Sequence, residues 1–75
     1  MNFEAVRKTL AEQFDIDPES ISLDTNIIDD IGADSLDVVE LIMALEDNYG
    51  ITISDDDAMK LVTVRAIVDY LDNLN

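Results

Sequence analysis

Apolar residues fall at Phe3, Val6, Leu10 and Phe14, a spacing of i, i+3, i+7, i+11 that keeps them on one side of a helix. A first amphipathic helix is therefore predicted from Asn2 to about Phe14, with Asn2 in place as an N-cap. Between Asp15 and Ala33 the period disappears. Asp17-Pro18 suits a short turn with Pro in its first position, and Asp24-Thr25-Asn26 is a turn cluster. Ile16, Ile21, Leu23, Ile27, Ile28 and Ile31 give the same stretch scattered apolar anchors. The pattern predicts a long loop pinned to the core at intervals, and such a loop is uncommon in a small domain unless it carries function.

Helical spacing resumes after Gly32-Ala33-Asp34-Ser35 and continues to Tyr49, where Gly50 stands ready to end the helix in a left-handed turn. A second helix is expected from about Ser35 to Tyr49, capped by Asp34, with Asp37 in the first turn where the helix dipole favours negative charge. Ser54-Asp55-Asp56-Asp57 reads as another helix start, leading into a short third helix that ends near Leu61. Thr63 is placed to cap a fourth helix, in which Val64, Ile67, Val68 and Leu71 recur at helical spacing before a polar tail from Asp72 to Asn75. No repeat occurs, and no alternating run exceeds Ile51-Thr52-Ile53. The expectation is one all-α domain over residues 1–75, a small four-helix bundle with a long first loop. Its short third helix depends on packing and should be the most mobile element.

The second helix carries more apolar surface than a core needs. With about 100° per residue and Val38 at zero, Ile42, Leu45 and Tyr49 fall within about 40° and form the expected buried stripe. Val39, Met43 and Leu36 lie at about 100°, 140° and 160°, a second strip with Asp47, Glu40 and Asp37 beyond it and Glu46 on its other side. Such a strip is usually covered by a neighbouring helix. Its acidic fringe points instead to interface anatomy, an apolar centre with a charged rim.

Charge narrows the partners. Eighteen Asp and Glu against four Lys and Arg leave a formal net charge of -14 with no His. A surface of this kind repels nucleic acid and attracts basic protein patches and divalent cations, and the like charge favours a monomer. The lack of Cys and His removes disulfides, thiolate and Ser-His chemistry and ordinary zinc sites, so catalysis by the chain alone is not expected. No apolar run reaches the ~20 residues of a membrane span, nor does Met1 to Leu10 hold a signal-peptide core, which points to a cytoplasmic protein.

Ser35 stands at the first turn of the second helix, beside the second strip. Gly32-Ala33-Asp34-Ser35-Leu36-Asp37 followed by Val38-Val39-Glu40-Leu41 resembles the phosphopantetheine attachment motif of acyl carrier proteins. The likeness runs through Asp29-Asp30-Ile31-Gly32, Met43-Ala44-Leu45-Glu46 and the Ile51 to Leu71 region, almost the whole chain. The resemblance is to the free-standing carriers of type II fatty acid synthesis. It implies that Ser35 carries 4′-phosphopantetheine, transferred from coenzyme A by a holo-carrier synthase with Mg²⁺, which makes the chain a phosphoprotein of lipid metabolism. Asp34 would help to present Ser35. Leu36, Val39 and Met43 would be the docking strip, and Asp37, Glu40, Glu46 and Asp47 would meet basic patches on fatty acid synthesis and acyltransferase enzymes. Ile53, Ala58 and Leu61 would line the place where an acyl chain folds back. No specific metal site is implied on the chain.

Some positions depart from the family pattern. Ser54 stands where many members have Pro, Met59 replaces a commonly acidic residue, and Ile27 takes a place often aromatic. Peptidyl carriers usually have His before the attachment serine, so Asp34 favours acyl cargo. Three other readings stand beside this one. A dedicated polyketide or specialised lipid carrier would share every motif residue. An acidic protein-binding adaptor without a prosthetic group would leave the Gly-Ala-Asp-Ser-Leu segment without a role. A calcium loop starting at Asp24 fails its template, since Asp29 stands in place of the turn glycine and Ser35 in place of the closing Glu.

Overall fold

The computed structural model describes residues 2–74. Met1 and Asn75, the ends of the expected domain and, for Asn75, of the expected polar tail, lie outside the described residues. The chain forms four α-helices: α1 Phe3–Phe14, α2 Ser35–Tyr49, α3 Asp55–Ala58 and α4 Val64–Asp72. A single 3-10 turn, Pro18–Ser20, interrupts the long first connection, and Asp17 caps it by accepting the Glu19 N–H at 2.9 Å. No strand forms among the described residues; one isolated bridge pairs Asn26 with Thr63.

Three of the helices enclose the core. From α1 come Val6, Leu10 and Ala11, from α2 Leu41, Ile42 and Leu45, and from α4 Val64, Ile67, Val68 and Leu71. Of the expected α2 stripe, Ile42 and Leu45 are buried while Val38 and Tyr49 are half-buried, and Leu41 joins the core in their stead. Helix α3 buries none of its four residues, so it rests on the bundle and does not help to build it.

The long loop is fastened by backbone as well as by side chains. Ile27 N–H donates to the Val62 carbonyl at 2.7 Å, Val64 N–H to Thr25 at 3.0 Å, and Arg65 N–H to Leu23 at 3.0 Å. These bonds lay residues 23–27 along the connection into α4, and Ile21 and Ile27 bury their side chains beneath it. Backbone groups removed from water in a loop require partners of this kind. Ile28 is the exception to the anchoring pattern: it is exposed, because the turn that follows Ile27 carries it to the outer side.

Two helix ends differ from the expectation. The Asn2 side chain makes no cap bond to its own helix. Its side-chain amide and its backbone N–H both donate to Asp72 Oδ1, at 2.7 and 3.0 Å, and so tie the start of α1 to the end of α4. Helix α3 stops at Ala58, three residues short of Leu61. The chain tightens there into i to i−3 bonds from Lys60 and Leu61, which turn Leu61 into the core and bring Val62 to Ile27. The other caps match: Ser54 accepts the Asp57 N–H, Thr63 accepts the Ala66 N–H, and Gly50 adopts the left-handed conformation at φ 63°.

Charge opposes this packing. Among the described residues only Arg7 with Glu4, at 2.7 Å, and Arg65 with Asp24, at 3.0 Å, form ion pairs, both at the surface where such pairs are worth little. Most of the -14 is left as mutual repulsion. Added NaCl or MgCl₂ is expected to raise the melting temperature, and about 1 kcal/mol of relief corresponds to roughly 4–8 °C for a domain of this size. A thermal scan whose midpoint does not move with salt would show that repulsion does not limit stability.

Tyr49 supplies a second test. Its hydroxyl is buried with no hydrogen-bond partner among the described residues, and burial pushes the phenol above its ordinary pKa of about 10. The folded state holds this group neutral more firmly than the unfolded chain does. Its contribution to stability is therefore fully present below the ordinary value and lost as pH rises through the raised one. Tyr49→Phe should retain stability at neutral pH or gain up to about 1 kcal/mol, because an unpaired buried hydroxyl is removed. It should also lose less stability above pH ~10 than the parent. Urea midpoints at neutral and alkaline pH read both, and a clear loss at neutral pH would mean that the hydroxyl has a partner.

Candidate functional site

The start of α2 is fixed by a reciprocal pair of hydrogen bonds. Asp34 Oδ1 accepts the Asp37 N–H at 2.9 Å, and Asp37 Oδ2 accepts the Asp34 N–H at 3.2 Å. The sequence indicates the first of these bonds; the return bond from Asp37 is an addition. Ser35 is the first residue of the helix and is exposed.

The approach to Ser35 is equally determined. Asn26 Oδ1 accepts the N–H groups of Ile28 and Asp29, Asp30 Oδ2 accepts the Asn26 N–H, and the Ala33 N–H returns to the Ile27 carbonyl at 3.1 Å. Gly32 sits at φ 84°, with open space where a side chain would stand. Backbone conformation, and not crowding, is what favours glycine there. Ala33 is buried, so the hydroxyl of Ser35 projects from a segment anchored on both sides.

The second strip of α2 is uncovered. Leu36, Val39 and Met43 are 65%, 53% and 58% exposed, and among the described residues none buries them. Glu40 and Asp47 are exposed beside them. The other two acids of the expected docking set are only half-exposed and already engaged. Asp37 closes the cap, and Glu46 Oε2 accepts the Ile53 N–H at 2.8 Å, holding the segment that leads to α3.

Two open clefts meet at this face. One, of about 340 Å³, runs between α2 and α3 and is walled by Val39, Ile42 and Met43 on one side and Ile53, Ala58 and Met59 on the other. The second, of about 450 Å³, lies beside Ser35 and includes Ile28, Ala33 and Val62. Val38, Ala58 and Met59 wall both, so an apolar path leads from Ser35 into the α2–α3 groove. Of the three residues expected to line an acyl chain, Ile53 and Ala58 border this groove, whereas Leu61 packs in the core. Ile28, Val38 and Val62 were not indicated by the sequence as part of the site. No periodic signal marks Ile28 and Val62, since they reach Ser35 from two separate loops.

Tyr70 braces the outer wall: its hydroxyl donates to Asp57 Oδ2 at 3.3 Å. Burial raises the Tyr70 pKa, assisted by the charge of Asp57, the hydrogen bond to it, and the charge of Glu46. In the loop Asp24 accepts a hydrogen bond from Arg65 and Asp30 one from the Asn26 N–H. No group of three or more acidic side chains among the described residues could hold a metal ion. Nor is any helix among them long and apolar enough to cross a membrane.

The head of α2 thus combines an exposed hydroxyl, an apolar path beside it, and an uncovered apolar strip with an acidic fringe. The family profile described as "Phosphopantetheine attachment site" matches residues 4–71. The acyl carrier protein of Campylobacter hominis is 51% identical over 73 residues, covering 97% of this chain and 92% of that protein. The acyl carrier proteins of Campylobacter jejuni subsp. doylei and Campylobacter concisus are 50% and 49% identical over 72 residues, covering 96% of this chain and 94% of each relative. With likeness of this strength across nearly its whole length, the chain belongs to the acyl carrier protein family and contains that family's phosphopantetheine attachment domain.

Proposed function

We propose that Ser35 carries the 4′-phosphopantetheine arm through its Oγ, and that the chain, as one carrier domain over residues 1–75, shuttles acyl groups between the enzymes of fatty acid biosynthesis. The observation that carries this reading is the exposed Ser35 at the first position of a firmly capped α2, opening onto an apolar path. The residues present fit the group. The hydroxyl is accessible, the helix N-terminus favours a phosphodiester, and the carboxylates of Asp34 and Asp37 are tied to each other's backbone. When bound, the arm supplies the thiol that a chain without Cys lacks, and holds acyl groups as thioesters.

The polypeptide's own part is presentation and recognition. Asp34 presents Ser35 by fixing the helix start. Leu36, Val39 and Met43 offer apolar contact to a holo-carrier synthase and to acyl-transferring enzymes, while Glu40 and Asp47 meet their Lys and Arg side chains. Asp37 and Glu46 contribute charge to the same rim from hydrogen-bonded positions. Long-range attraction from a -14 surface speeds encounter with such partners and weakens as salt is added. The bond-making steps belong to the partners. The chain acts in the cytoplasm as a monomer.

Incubation with coenzyme A, Mg²⁺ and a broad-specificity phosphopantetheinyl transferase should add one phosphopantetheine to the intact mass. Ser35→Ala should add none, with stability changed by no more than about 0.5 kcal/mol, since Asp34 remains as cap. A folded, unmodified parent that gains no mass would sink the carrier reading in favour of an acidic adaptor. A medium-chain acyl group on the loaded protein is expected in the α2–α3 groove, where it would shift the amide resonances of Ile53 and Ala58. Unchanged resonances at both positions would remove the groove as the resting place.

A further inference from the structure

The polypeptide's sulfur is confined to three methionines, and the two among the described residues both stand at the site. Met43 projects from α2 and Met59 from the end of α3, on opposite walls of the 340 Å³ groove. Met59 is also part of the cleft beside Ser35. At 58% and 77% exposed, both thioethers are open to a small oxidant, and Met59 is more exposed than any other large apolar side chain described. Their setting is not a random surface. Of the six exposed large apolar residues among those described, Ile28, Leu36, Val39, Met43 and Met59 border these clefts or the strip, and only Leu74 does not.

We propose that Met43 and Met59 form an oxidation-sensitive rim, at which conversion of the thioethers to sulfoxides weakens partner docking and the loading of Ser35. The proposal rests on the carrier reading. In the step, a sulfur lone pair attacks one oxygen of hydrogen peroxide, the O–O bond breaks, an S–O bond forms, and the second oxygen leaves as water. Sulfur is oxidised by two electrons and the peroxide is reduced by two. The product replaces a flexible apolar contact by a strong dipole on both sides of the groove. A partner whose apolar side chains close over the strip must then bury that dipole where they offer it no donor, which is costly. The chain has no thiol of its own to intercept the oxidant before the arm is attached.

The test uses the full-length apo protein, so that no arm thiol competes for peroxide. After treatment with hydrogen peroxide, peptide mass mapping locates the sulfoxides, circular dichroism reads the helix content, and kcat/KM for loading is measured with coenzyme A, Mg²⁺ and the transferase. Oxidation at Met43 and Met59 should lower kcat/KM about tenfold, the order expected for a mismatched group in an apolar contact. Helix content should be retained, and a methionine sulfoxide reductase with a dithiol should restore the rate. In the Met43→Leu/Met59→Leu double variant the ratio of treated to untreated rates should be one. An unchanged rate with both sulfoxides present, a fall that the double variant shares, or a fall that accompanies loss of helix would each overturn the proposal. Failure of the untreated protein to load would overturn the carrier reading, and this proposal with it.

Discussion

The two hydrogen bonds between Asp34 and Asp37 set the register of α2, and most of the functional surface follows from that register. A helix turns about 100° per residue, so a start displaced by one position would rotate every later side chain by that amount. Leu41 and Leu45 would leave the core, and Leu36, Val39 and Met43, still aligned with one another, would turn away from their outward position. The same bonds locate Ser35, because it is the residue between the cap and the first full turn. One local constraint therefore fixes both the position of Ser35 and the direction that the Leu36, Val39 and Met43 strip faces.

Features determined locally are the ones the sequence reveals. Both ends of α2 are legible because Asp34 and Gly50 act within one turn of themselves, and Asp17, Ser54 and Thr63 are legible for the same reason. The strip of Leu36, Val39 and Met43 could be read from angular position on the helix, although its exposure is decided by what packs beside α2 in the folded chain. What escaped was decided across the chain. The Asn2 side chain turns to Asp72, seventy positions away, and α3 ends early because Val62 must meet Ile27. Ile28 and Val62 join the site only through the backbone pairing that brings their loops together. Glu46 illustrates the mixed case. Its helical angle is readable, but its use as an acceptor for Ile53 exists only once the chain has folded back.

Stability and recognition make opposite demands on the charge. Eighteen acids against four bases give basic partners a strong field to follow, while every unpaired carboxylate raises the energy of the compact state. The structure distributes the conflict. The buried set is apolar apart from Thr25, whose hydroxyl accepts the Ser22 N–H at 2.8 Å, so no charge is paired at the expense of the core. Several acids offset their cost by acting as hydrogen-bond acceptors for backbone N–H groups, among them Asp17, Asp30, Asp34, Asp37 and Glu46. Charge-assisted bonds of this kind are stronger than neutral ones. They also leave the net charge in place for partners to sense.

The weakness of α3 has its own logic in a carrier. A wall built from a helix with no buried residue, held through Glu46 to Ile53 and through Tyr70 to Asp57, bounds a groove open to solvent along its length. A closed cavity of the same volume would need a second apolar layer that a domain of 75 residues does not possess. It would also bury a ligand so completely that release would require the core to open. An open groove gives up part of the available burial, at about 25 cal/mol per Å² of apolar surface, and in return would let a bound apolar group leave with the core intact. In a family of carriers, loose retention of an apolar group beside α2 would serve better than tight enclosure.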